Sequence, residues 1–286
     1  MPWRLRNLCS QRCKPIDNKN PTLLWDGLRH KAKARTRGPV KRLIYLLLLL
    51  LPGLGQAQEW AVYTHSMDNQ SVLIDGQLRG REHAGKRAFY LELVHLLLAD
   101  MGTPLPIREV PLARGLALLK AHSDVVLFNL SQTPERKALA HWIGPTLAET
   151  DYLYESRQRP TGIRTLLDAQ NLPVCVLNGS NHDEQLARAG FTHISRNNSY
   201  SNCLRMLAAG RVALIASGDI GMAQRLRDTH LQARDVQPTA VSLGSDDGYI
   251  ALSHDMPAQQ VAQWRTALLR VQRDGRFQQL YERYAQ

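Results

Sequence analysis

The chain has 286 residues, 44% of them hydrophobic and 21% charged, with 36 Lys and Arg against 25 Asp and Glu and a formal net charge of +11. This composition excludes collagen, coiled coil and disorder and leaves a globular protein of one or two domains. The charge would suggest a nucleic acid or an anionic membrane as partner, but residues 1–57 alone hold 12 of the bases and only Asp17 and Asp26 as acids. Residues 58–286 carry 24 bases against 23 acids, a net of +1, which removes the nucleic-acid reading.

Lys41 and Arg42 precede an apolar run of about 12 residues that includes Leu46 to Leu51, followed by Gly55 and Ala57 at the −3 and −1 positions of a cleavage site. The run is short of the roughly 20 residues needed to span a bilayer. Residues 40–57 therefore read as a secretory signal cleaved before Gln58, exporting the rest to the periplasm; no Cys follows to carry a lipid. Residues 1–39 are an upstream extension, with translation expected to start at Val40, so Cys9 and Cys13 have no structural role. In an oxidising compartment Cys175 and Cys203 either pair, contributing on the order of 3 kcal/mol, or remain two buried thiols.

From residue 58 onward strands and helices alternate, which predicts α/β lobes with largely parallel sheets. Strand 60–64 precedes an amphipathic helix over 86–101. Strand 107–110 leads to a helix opened by Pro111 and running through Lys120, then strand 125–129 and a short helix from Pro134. An extended stretch, 152–156, begins a second cycle. It comprises helix 163–169, strand 174–177, helices 181–189 and 200–209, strand 212–216 and a helix from Asp219. Strand 249–252 and helices 258–273 and 277–284 complete the chain, and Gly244 to Gly248 reads as a turn.

Two strand-to-helix junctions carry candidate ligand chemistry. In the first, Asn129, Ser131 and Arg136 follow a buried strand; with Thr133 as N-cap and Pro134 as first helical residue, Arg136 falls in the first turn. A cation there opposes the helix dipole, and either a bound carboxylate gripped by its planar fork or a neighbouring acid would explain it. In the second, Gly179 permits a turn, Ser180 caps, and Asp183 completes an S-x-x-D capping box. An ordinary capped helix is the simpler explanation there, although two such junctions facing across a cleft would hold a small polar ligand. His182, Asp183 and Glu184 point to different helix faces, and His182 is expected at the surface. No nucleophile elbow, phosphate loop, H-E-x-x-H or paired C-x-x-C is present, so neither metal nor cofactor is expected.

The ordered set of G-x-L-R-G (76–80), V-P-x-A-R (110–114), L-S-x-T-P-E-R (130–136) with Trp142, Gly144 and Pro145, Val176 to Ser180, A-G-R (209–211) and D-G-x-F-x-x-L-Y-x-x-Y (274–284) resembles the bacterial extracellular solute-binding protein family 3. This family includes the periplasmic polar amino-acid receptors of ABC transporters. The resemblance implies a two-lobed, type 2 periplasmic-binding-protein fold, each lobe a mixed, largely parallel sheet flanked by helices, joined by two hinge strands. Lobe 1 would hold 58–148 and 246–286, and lobe 2 would hold 149–245. It implies that Asn129, Ser131 and Arg136 bind an acidic group such as an α-carboxylate, with Gly179, Ser180 and Asn181 contributing from lobe 2 and Arg114 at the cleft rim.

The chain departs from the family at Leu112, where an aromatic platform is common, at Ala213, and at His65 to Asp68. It also departs at Gly218, where an acid would meet a ligand ammonium, with Asp219 one position away. An anionic ligand without an ammonium group is therefore equally compatible. The expected function is capture of a small polar or carboxylate-bearing ligand by a monomeric periplasmic protein, for delivery to an ABC transporter permease. A sensing module for a membrane signalling partner is the second reading. An enzyme of dehydratase type, with Asp219 or His182 as its acid or base, is the third.

Overall fold

The computed structural model describes residues 60–285; the leader, with its signal sequence, Cys9 and Cys13, lies outside the described residues. In chain order the elements are β1 (Ala61–Thr64), β2 (Ser71–Ile74), β3 (Gln77–Gly80), α1 (Lys86–Asp100), β4 (Ile107–Glu109), α2 (Leu112–Ala121), β5 (Val125–Ser131), β6 (Ala140–Ile143) and β7 (Ala148–Ser156). There follow α3 (Leu166–Ala169), β8 (Val174–Leu177), α4 (Asn181–Arg188), β9 (Ile194–Asn197), α5 (Tyr200–Ala208), β10 (Leu214–Gly218), α6 (Met222–Asp228), β11 (Val236–Ser253), α7 (Ala258–Arg273) and α8 (Arg276–Leu280). Among the described residues no helix is long and apolar enough to cross a membrane.

The strands run in the order β4-β1-β5-β11-β7-β10-β8-β9, with β6 also on β11. Pairs β1–β4, β1–β5, β8–β9 and β8–β10 are parallel, whereas β11 is antiparallel to β5, β6 and β7. The chain thus forms two α/β lobes, between which it passes on the antiparallel strands β7 and β11. Side-chain alternation sorts the second lobe into two cores. Leu153, Val174, Val176, Leu214 and Ala216 face one layer, while Tyr154, Cys175 and Ile215 face the other. The first lobe is centred on α1, which is buried along most of its length and packs with Val126, Phe128, Leu252 and Trp264. Leu112 of α2 clusters with Leu177 and Tyr200 from the second lobe, so the lobes are closed upon each other.

Three sequence expectations fail here for identifiable reasons. The helix expected from Pro134 is a hydrogen-bonded turn, Arg136 N donating to Thr133 O at 3.0 Å, and a single 3-10 turn (Lys137–Leu139) with Arg136 at its cap; β6 follows at once and pairs with β11, leaving no room for a helix. The expected turn at Gly244 to Gly248 lies within β11, where Gly244, Ser245, Asp246 and Asp247 pair with β7. The β2–β3 hairpin, β6 and β9 were not expected. None of them is buried along its length as the equally short β8 is: β2 and β3 are largely exposed or half-buried, and β6 and β9 mix apolar with polar residues. Cys175 of β8 and Cys203 of α5 are joined in a disulfide with their Cα atoms 5.4 Å apart.

Candidate functional site

A cleft between the lobes is lined by His65, Lys86, Arg87, Asn129, Ser131 and Arg136 from the first lobe, and by Ser180, Asn181, His182, Tyr200 and Arg225 from the second. Glu149 and Asp246 project into it from the crossing strands. Asn129, at the end of the all-apolar run of β5, adopts a positive φ of 62°. Its carbonyl accepts a hydrogen bond from His65 Nε2 at 3.0 Å. Burial pushes the His65 imidazole down to about 3, helped by the charges of Arg87, Arg136 and Lys86, so the ring is neutral at ordinary pH.

Glu149 and Asp151 alternate along β7 and Asp246 faces Glu149 from β11, so three carboxylates offer oxygens within 4.8 Å of one another. Lys86 supplies the compensating cation through a buried ion pair with Glu149. Asp151 Oδ2 lies 2.9 Å from His182 Nε2 and accepts from Asn181 Nδ2 at 3.1 Å. Burial raises the Asp151 carboxyl, but His182, Lys86 and Asn181 outweigh it and hold it below its usual range. Asp246 accepts from Ser131 Oγ at 2.5 Å, yet burial and the neighbouring Asp151 and Glu149 leave it raised. Glu149 Oε2 and Asp151 Oδ1 are enclosed without a hydrogen-bond partner among the described residues, and the same holds for Arg87 Nε and Arg225 Nε.

The structure distributes the residues singled out in the sequence unevenly. Asn129, Ser131, Arg136, Ser180 and Asn181 border the cleft. Arg136 does not sit in a helical first turn; its Nη2 donates to Gly179 O at 2.7 Å and to Glu184 Oε1 at 2.7 Å, so the protein's own second lobe supplies its acceptors. Gly179 acts through that carbonyl and through its φ of 73°. Ser180 caps α4 by accepting from Asp183 N at 3.2 Å. The reciprocal bond of a capping box goes to Gly179 N instead, at 3.0 Å from Asp183 Oδ2. Arg114 is exposed on α2 and Asp219 is exposed beside β10, where its Oδ1 accepts from Thr150 N at 3.1 Å; neither lines the cleft. His182, expected at the surface, is buried at 3% exposure because Asp151 and Tyr200 face it.

Lys86, Arg87, Glu149, Asp151, Tyr200, Arg225 and Asp246 were not anticipated. A signal existed for the first two. The argument that a cation in a first helical turn needs a reason belongs to Lys86 and Arg87, the first residues of the 15-residue α1, which Gly85 precedes without a side-chain cap. Glu149 also bears on residue 218: a Cβ built on Gly218 would meet its Oε2 at 2.1 Å. The Glu149 carboxylate thus fills the space that a side chain at 218 would take.

No family model and no curated protein matches the chain. Solved structures do. A mutant of ArgBP from T. maritima superposes with a TM-score of 0.66 at 15% identity, covering 79% of this chain and 94% of that one. A histidine kinase sensor domain with similarity to periplasmic binding proteins gives 0.68 at 17%, covering 79% and 97%. The arginine-, lysine-, histidine-binding protein ArtJ from Geobacillus stearothermophilus gives 0.63 at 16%, covering 78% and 94%. The chain therefore has the two-lobed fold that these binding proteins and this sensor domain share.

Proposed function

We propose that this protein is an exported receptor that captures a small charged ligand between its lobes and presents it to a membrane partner, an ABC transporter permease. The observation that carries this reading is the cleft's unmatched polarity. Enclosed carboxylate oxygens on Glu149 and Asp151, and enclosed guanidinium nitrogens on Arg87 and Arg225, have no partner among the described residues. Buried polar atoms are normally satisfied, and unsatisfied ones cost about 1–3 kcal/mol each. A ligand carrying both donors and acceptors would match them. Asn129 and Ser131 on one side, and Ser180 and Asn181 on the other, would add neutral hydrogen bonds. Glu149 would meet a ligand ammonium from β7 in place of an acid at residue 218.

In this account Arg136 and Glu184 latch the lobes, and ligand binding draws on closure that the latch already favours. The basic pair, leucine run and small residues before Gln58 support export to the periplasm. The fold shared with a histidine kinase sensor domain supports a second reading, in which the closed receptor signals instead of feeding a transporter. Thermal denaturation of the purified protein against amino acids, dicarboxylates, polyamines and short peptides tests the receptor reading. A true ligand at 100 times its Kd adds about 2.7 kcal/mol of stability, and an unchanged melting temperature across all four classes contradicts it.

A further inference from the structure

Arg87 and Arg225 are 5% and 4% exposed, yet neither forms an ion pair among the described residues. The Arg87 guanidinium meets no acceptor there, and its Nε is fully enclosed. Arg225 Nη1 donates to Ser217 Oγ at 2.6 Å and to Gly218 O at 3.2 Å, while its Nε is enclosed and unpartnered. The two guanidinium carbons lie 5.0 and 4.7 Å from the centroid of one ring, that of Tyr200. All three side chains border the cleft, Arg87 from the first lobe and the other two from the second. Nearby acids are engaged elsewhere, Asp68 with Ser199 Oγ at 2.7 Å and Glu149 with Lys86. Burial, and then the charge of Arg225, depress the Arg87 guanidinium. Asp68 and Glu149 offset only part of this, so two like charges enclosed without an ion pair among the described residues break the rule that buried charges are paired, and such breaks concentrate at functional sites.

We infer that Arg87 and Arg225 form an anion clamp: a carboxylate or phosphate group of the ligand seats between the two guanidiniums beside Tyr200 and bridges the lobes. The clamp rests on the reading of the cleft as a ligand site and specifies its ligand class. The ligand is an acid, recognised at these two arginines rather than at Arg136, whose Nε and Nη2 already donate to Glu184 and Gly179. Planar forks suit either anion through paired hydrogen bonds.

Thermal denaturation and calorimetry of the purified protein, its Arg87→Gln and its Arg225→Gln variants test the clamp, with glutarate, L-glutamate, inorganic phosphate and putrescine as probes. At least one anionic probe is expected to raise the wild-type melting temperature, and each substitution is expected to weaken that probe at least 30-fold. Without ligand Arg87→Gln should melt no lower than the wild type, because a buried charge that meets no acceptor has been removed. Anion binding that persists in both variants overturns the clamp, as does a sharp drop in the unliganded melting temperature of Arg87→Gln. A response to putrescine alone overturns the clamp and leaves the receptor reading standing; silence from every probe also overturns the clamp, and the receptor reading falls with it only when the other amino acids and short peptides are silent too.

Discussion

Arg136 of the first lobe closes on Glu184 of the second, its Nε and Nη2 donating to the same carboxylate oxygen at 3.0 and 2.7 Å. The guanidinium is buried while the carboxylate is 30% exposed, so the pair is stronger than a surface salt bridge and weaker than an enclosed one.

Glu184→Gln should therefore weaken closure by about 1–2 kcal/mol, keeping the shape of the side chain while removing its charge. Small-angle X-ray scattering without ligand should show a larger radius of gyration than the wild type. Equal radii would remove the latch.

Lys86 is the cation among Glu149, Asp151 and Asp246, and it is itself buried. Replacing it leaves uncompensated carboxylates, for which a loss of about 3–5 kcal/mol is expected. Lys86→Met should lower the melting temperature at pH 7 and recover part of the loss at pH 4, as the raised carboxyl of Asp246 takes up a proton. A variant as stable as the wild type at pH 7 would refute this assignment of charges.

His65 makes stability depend on pH with a definite sign. Its folded value, about 3, lies below its ordinary 6.5, so between these limits the unfolded chain binds a proton that the folded chain does not. The contribution is fully present above pH 6.5 and is lost as the pH falls toward 3. At pH 5 the loss is about 2 kcal/mol, from roughly 1.4 kcal/mol per unit. Gln can still donate to Asn129 O, so His65→Gln should flatten the profile of melting temperature between pH 4 and 7. An unchanged slope would place the proton uptake elsewhere.

The Cys175–Cys203 bridge closes a sequence separation of 28 residues. The loop-entropy account gives on the order of 3 kcal/mol. Mass measurement after alkylation under denaturing conditions should find both sulfurs blocked until reductant is added, and the double Ala variant should melt several degrees lower. Free thiols in the purified, unreduced protein would contradict the bridge.

Much of the architecture was legible because long helices advertise their period and an all-apolar run marks a buried strand. Helix Ala258–Arg273 and strand Val174–Leu177 stand as expected, and α1 and α5 end one residue earlier. Strands β6 and β9 were not legible, since they acquire their extended form from partners distant in sequence. The cleft was half legible. Junction residues such as Ser131 and Ser180 stand beside turn signals that local chemistry reveals. Glu149, Asp151, Asp246 and Arg225 acquire meaning only when β7, β10 and β11 come together, because no local pattern separates a buried acid from a solvated one.

A crystal structure grown with the ligand that most raises the melting temperature is the most direct measurement of the account. The ligand is predicted to lie between Asn129 and Asn181, with an anionic group within 3.2 Å of the Arg87 or Arg225 guanidinium, a usual limit for such hydrogen bonds. A ligand bound on the outer surface, with these arginines untouched, would contradict it.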